Sequence, residues 1–186
     1  MCAAFIILII EDILQYHLLV IKKEKNSFKM LKKLHLTCSV ILFFFLNISF
    51  LKADLLIPNN SILPAEVVKI QLVALMNNDK KFEDSGIEQT WNFAHPNNKK
   101  NTGPLPNFKM MIKGNSYQML LNHISHTITE LGISDNWAQF EVVILDKDKI
   151  YHKFNWQVEK FSLEGPLQDC WLTTVVTNPI PLGSSI

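Results

Sequence analysis

The apolar positions along the chain change their period once. From Pro64 to Ile112 they recur at helical spacing, and from Ile124 onward they alternate. Pro64 suits the first position of a helix, where its missing N–H is not needed. Val68, Leu72, Leu75 and Met76 then share one helical face, and Asn77-Asn78-Asp79 ends the run. Ser85 and Glu88 make an S-x-x-E capping box for a second helix. Its stripe is Ile87, Trp91 and Ala94, with His95-Pro96 as the stop. The Asn-, Lys-, Gly- and Pro-rich stretch 97–106 reads as a loop. Phe108, Met111 and Ile112 give a short third helix that Gly114 is placed to cap.

Beyond it the pattern is that of strands. Ile124, His126 and Ile128 alternate with Ser125, Thr127 and Thr129, and Ala138, Phe140, Val142 and Ile144 alternate with Gln139 and Glu141. Asp146-Lys-Asp-Lys149 is a polar turn, after which Phe154, Trp156 and Val158 share a face. Glu164-Gly-Pro166 makes another turn before a last run, 170–177. Strands this close in sequence pair as antiparallel hairpins, and one polar face per strand fits a sheet covered on one side. The expectation is an α+β domain over 64–177, three helices packed on a four-stranded antiparallel sheet. Residues 54–63 read as a linker and 178–186 as a flexible tail.

The segment before Asp54 changes where such a domain would act. Lys32 and Lys33 precede an apolar run from Leu36 to Leu51, followed by Lys52-Ala53-Asp54. A basic stretch, an apolar stretch and a small residue at the cut form the pattern of a secretory signal over 30–53, cleaved between Ala53 and Asp54. Met30-Leu-Lys-Lys resembles a natural start, which makes 1–29 an upstream extension. Glu11 and Asp12 argue against a spanning helix in 1–21, since each acidic group at a bilayer centre costs roughly 2.5–3.5 kcal/mol. The run 36–51 can also stay uncleaved as an anchor, near the short limit for spanning. Export would deliver the domain to a periplasm, or to a thylakoid lumen if the cell is cyanobacterial.

From Asp54 on, 11 lysines against 14 acidic residues leave the exported part near −3, and the chain has no arginine. A mildly acidic surface without guanidinium forks argues against nucleic-acid binding. Cys170 is the one cysteine after the leader, so no internal disulfide and no multi-cysteine zinc site is expected there. No metal and no cofactor is expected.

One set of residues is familiar as a set. Glu66-Val-Val, Gln71-Leu, Ala74-Leu-Met-Asn-Asn-Asp79, Gly86-Ile, Phe93-Ala-His-Pro96-Asn, Thr102-Gly-Pro104, Phe108, Tyr117, Trp156 and Asp169-Cys-Trp171 span nearly all of 64–176. The chain resembles the uncharacterised family known as domain of unknown function 4864. The resemblance implies a cystatin-like or nuclear-transport-factor-2-like cone, in which three helices close over a curved sheet. It carries no catalytic residues.

Cones of this kind often hold a pocket between the helices and the concave sheet face. Trp91, Tyr117, His126 and Trp156 are the expected lining, although indoles in a small domain more often fill the core. His126, between Ile124 and Ile128 on an apolar face, is the candidate general base; a core histidine bonded to backbone is the simpler reading. His123 lies three residues away and is expected on the opposite strand face, unable to share a metal with it. Asp79 reads as a helix end and Asp84 as an acidic group at a helix start. His95 reads as a turn residue, and Cys170 as a buried strand thiol. Lys99, Lys100, Thr102 and Gly103 make the 97–106 loop a candidate partner surface. The leading expectation is a non-catalytic domain that binds a small apolar ligand or a protein partner. The alternatives are a small isomerase, dehydratase or hydrolase using His126 or a carboxylate, and a homodimer formed through the open sheet face.

Overall fold

The computed structural model describes residues 54–184 and the isolated Gln15. The readings of 1–53 as upstream extension and leader, with Ala53 at the cut, lie outside the described residues apart from Gln15. No helix among the described residues is long and apolar enough to cross a membrane.

The described chain is α+β, helices first and strands after. Four α-helices are described, α1 (Pro64–Met76), α2 (Ser85–Asn92), α3 (Pro96–Thr102) and α4 (Leu105–Lys113), followed by a 3₁₀ turn at Gln118–Leu120. The strands are β1 (Ser125–Ile133), β2 (Trp137–Leu145), β3 (Ile150–Lys160), β4 (Trp171–Val176) and β5 (Ile180–Ser184). All pair antiparallel in the order β1-β2-β3-β4, and β5 shares the same edge of β3 with β4.

The alternation read along β2 and β3 is the one the structure buries. Ala138, Phe140, Val142 and Ile144 face the core with Phe154, Trp156 and Val158. Against them α1 lays Val67, Val68, Leu72 and Leu75, all fully buried. The apolar stripe of α1 therefore covers one sheet face, which is what an amphipathic helix requires. Pro64 does open α1, and the Glu66 side chain folds back to accept from the Leu63 N–H at 3.1 Å.

Four expectations need correction. The capping box at Ser85 does not form: Asp84 is the capping residue, at φ 62°, and the Ser85 hydroxyl donates to the Asn78 carbonyl at 2.7 Å. That bond serves a tight crossing. A Cβ at Gly86 would run into the Ala74 carbonyl, so α2 sits on α1 with backbone against side-chain-free backbone. The 97–106 loop is largely α3. Pro96 starts this helix, the His95 ring accepts from the Asn97 N–H at 3.1 Å, and Gly103 ends it at φ 81°. The tail is not loose throughout, because Ile180–Ser184 pairs with Ile150–Lys153. Three helices and four strands thus become four and five among the described residues. Asp54–Leu63 has neither helix nor strand, yet Gln89 clamps it, accepting from the Leu56 N–H and donating to the Leu56 carbonyl at 2.8 and 3.0 Å.

Candidate functional site

A cavity of about 200 Å³ lies where α1, α3 and α4 meet β3 and β4. Its walls are mainly apolar: Leu75, Phe108, Met111, Ile112, Leu120 and Val176. Its floor is polar and closed. Trp156 Nε1 donates to Gln71 Oε1 at 3.1 Å, the Thr173 hydroxyl donates to the same oxygen at 2.6 Å, and Gln71 Nε2 donates to the Thr90 carbonyl at 3.0 Å. Each buried polar atom of this floor has its partner, so the floor contributes shape and rigidity without a reactive group. Ala94 pairs with Thr173 as an isolated bridge, and the backbone of 93–95 bonds to Thr173 on both sides; this draws the start of α3 onto the edge of β4. As a result Asn98 and Thr102 line the cavity.

Tyr117 is the one titratable side chain on this cavity wall among the described residues. Its hydroxyl donates to the Val176 carbonyl at 3.2 Å, and burial pushes its pKa above the usual phenol value. A phenol held protonated is a hydrogen-bond donor, not a base at neutral pH. Of the four expected lining residues, Trp156 and Tyr117 are present and Trp91 and His126 are not. Trp91 packs instead against Phe108, ring centroids 5.0 Å apart, with the Lys99 ammonium 5.5 Å from its ring.

His126 lies elsewhere, on β1 opposite Ile144, and it has a partner the strand pattern does not reveal. His123 Nε2 and His126 Nδ1 are 2.8 Å apart. The expectation of opposite faces fails because β1 begins only at Ser125 and Asn122 stands in the left-handed region at φ 55°. The turn swings His123 back under the strand, where it is 2% exposed. His123 Nδ1 is 2.7 Å from the Leu120 carbonyl, which can only accept, so that nitrogen carries the proton. A neutral His123 then offers a bare Nε2, and His126 must donate from Nδ1. Of the two unprotonated nitrogens, His123 Nε2 is used within the pair and His126 Nε2 is not. The ring centroids stand 5.0 Å apart, close to the most that a 2.8 Å N···N separation allows, so the two nitrogens face each other rather than converge on a shared ion. Burial holds both imidazoles below the usual histidine range; His123 also feels His126, and His126 also feels the Lys69 ammonium.

Across the core face, Ile144 separates His126 from His152 in one row of the sheet. His152 Nε2 is 2.8 Å from Asp146 Oδ2, and both residues are buried. Asp146 also accepts from the Asp148 and Ile150 N–H groups at 2.9 and 2.8 Å, which locks the β2–β3 hairpin turn. Burial alone would raise the Asp146 pKa; those backbone bonds and His152 together hold it below the usual carboxylate range.

The remaining candidates have structural duties. Asp79 accepts from the Asp84 N–H at 2.8 Å. The Asp84 carboxylate meets Lys113 Nζ at 2.8 Å and Lys109 Nζ at 3.6 Å, and Lys109 also meets Glu88 at 2.9 Å, so α4 is tied to α2. Burial opposes ionisation of Asp84, but Lys113, Asn78 and Lys109 hold its pKa below the usual value. His95 caps α3. Cys170 is buried, and burial with Asp169 beside it raises the thiol pKa, the reverse of an activated nucleophile. On α3, Lys100 is exposed, whereas burial lowers the Lys99 pKa.

Comparison with protein-family models, with curated proteins and with solved structures returned no match.

Proposed function

We propose that this domain is a non-catalytic binding module whose ligand is a small apolar molecule held in the cavity under α3 and α4. The observation that carries the reading is the cavity's chemistry: mainly apolar walls, a fully bonded Gln71–Trp156–Thr173 floor, and Tyr117 as the one titratable group among the described residues. An engineered apolar cavity of about 150 Å³ stays dry and binds benzene, so about 200 Å³ suits one ring with a small substituent. Asn98 and Tyr117 are placed to orient a polar substituent at the wall. In this reading the cone of helices over a sheet and the resemblance to the family of unknown function are supported by the helix-then-strand order and by the position of the cavity. The same reading has the domain exported, released by cleavage after Ala53, and free to meet a protein partner through Lys100 and the exposed side of α3.

The test is a thermal-shift screen of single-ring compounds on the full chain, followed by indole fluorescence. A ligand should raise the melting temperature and perturb tryptophan emission through Trp156. At a hundredfold excess over Kd the stabilisation is about 2.7 kcal/mol. A complete panel that moves neither readout would sink the proposal.

The second reading, general-base catalysis by His126, has one observation in its favour: the His123 relay leaves His126 Nε2 unprotonated. It asks for a substrate site beside that nitrogen, and the cavity described above does not include it.

A further inference from the structure

A second concavity, about 390 Å³, runs along the side of α1 that faces away from the sheet. Lys69, Ile70, Val73, Ala74 and Asn77 recur at helical spacing and line it as one stripe. In the middle of the stripe Val73 is exposed, Ile70 is half-buried against the core and Ala74 meets Gly86 of α2. Leu55 and Leu56 form the facing wall, held in place by the double hydrogen bond from Gln89 to the Leu56 backbone. Gly86 closes the base, where the backbone of α2 lies against Ala74 of α1.

The charges around this groove are of one sign. Lys69, Lys80 and Lys81 line it, and no acidic residue among the described residues does. Lys81 Nζ donates to the Asp54 backbone carbonyl at 2.9 Å, and none of the three lysines has a carboxylate partner among the described residues. Elsewhere Lys109, Lys113 and Lys153 each meet a carboxylate. Residues 54–186 are net acidic by sequence, so three ammonium groups with no carboxylate partner among the described residues, around one groove, are a local reversal.

We propose that the groove binds a single-chain anionic amphiphile, a fatty carboxylate, with its alkyl chain along Ile70, Val73 and Ala74 and its head against Lys80 and Lys81. The volume falls within the range of small-molecule sites and is about twice that of the first cavity. Apolar burial supplies the affinity along the chain, and the lysines select the sign of the head. Ammonium groups on flexible stems supply charge without the fixed fork of arginine, which suits a head held at an open mouth. This site is separate from the cavity of the proposed function and stands or falls without it.

The experiment is photolabelling of the full chain with decanoate carrying a terminal diazirine, the labelled peptides being mapped by mass spectrometry. The expected label falls within 69–74 and 85–89. It drops at least fivefold in a Lys80→Gln/Lys81→Gln variant and with the corresponding alcohol in place of the acid. It is unchanged by Val176→Phe, which fills the first cavity, so failure of one site does not imitate failure of the other. Equal labelling by acid and alcohol would overturn the proposal. So would label confined to 108–120 and 171–176, or capture seen only when phosphatidylglycerol vesicles replace the free acid. The substituted lysines are exposed, and an unchanged circular-dichroism spectrum accompanies either result.

Discussion

Two regions of the same sheet face have divided the ingredients of a catalytic site between them. Under α3 and α4 there is space but no base: the cavity floor is three neutral side chains whose hydrogen bonds are complete. At the β1 end there are bases but the cavity does not reach them: His123 and His126 share one hydrogen bond, and His152 is held by Asp146. Chemistry needs a titratable group within reach of a bound molecule. The separation teaches that a histidine on an apolar strand face is weak evidence of catalysis when no cavity reaches the nitrogen it leaves free. It also underlies the proposal of a binding role for the cavity, since a neutral, satisfied floor offers shape rather than chemistry.

The sharpest way to break this contrast is Trp156→Ala, which removes the largest buried side chain of the cavity floor and leaves Gln71 with a bond unmade. The expected loss is about 3–5 kcal/mol in urea unfolding, with loss of ligand response. His123→Ala should cost less, about 2–3 kcal/mol, because it strands the Leu120 carbonyl and unsupports His126; ligand affinity should stay within twofold.

Acidification reads the histidine end next. His123 and His126 titrate lower when folded than when unfolded, so between those values the unfolded chain binds more protons. Stability is then complete above the ordinary histidine pKa of about 6.5 and falls as pH drops through it. Melting temperature should decline from pH 7.5 to 5.5, and the slope should be shallower in His126→Gln. A second decline should follow below about pH 4, where Asp84 and Asp146, both lowered in the fold, take up protons. The smallest effect expected is from Tyr117→Phe, about 0.5–1.5 kcal/mol for one hydrogen bond to a backbone carbonyl. It should change the preference among polar-substituted ligands without abolishing binding.

What could be read from the chain follows from which interactions are local. Alternation along β2 and β3 placed Phe140, Val142, Phe154 and Trp156 in the core, because a strand covered on one side repeats every two residues. Helix α3 has no apolar period at all; it forms because His95 caps it and residues 93–95 are drawn to the edge of β4, a contact across some eighty positions. Strand β5 carries Pro181 and Gly183, which mark a breaker in most contexts, yet an edge strand tolerates proline. The His123–His126 pair was misjudged because one left-handed residue, Asn122, resets the period before β1 begins. Asp146 reads only as part of a polar turn and His152 carries no signal of its own; the one local hint is an aspartate opening a tight turn. Cavity membership was half legible: Trp156 and Tyr117 are there, while Trp91 turns toward Phe108.

The most direct measurement is a titration of one screened single-ring ligand, followed by melting temperature, against wild type, His126→Ala and Val176→Phe. The account predicts the same shift in wild type and His126→Ala, and none in Val176→Phe, whose larger ring occupies the cavity. A shift that disappears with His126→Ala while surviving Val176→Phe would place the ligand at the histidine pair and contradict the division drawn here.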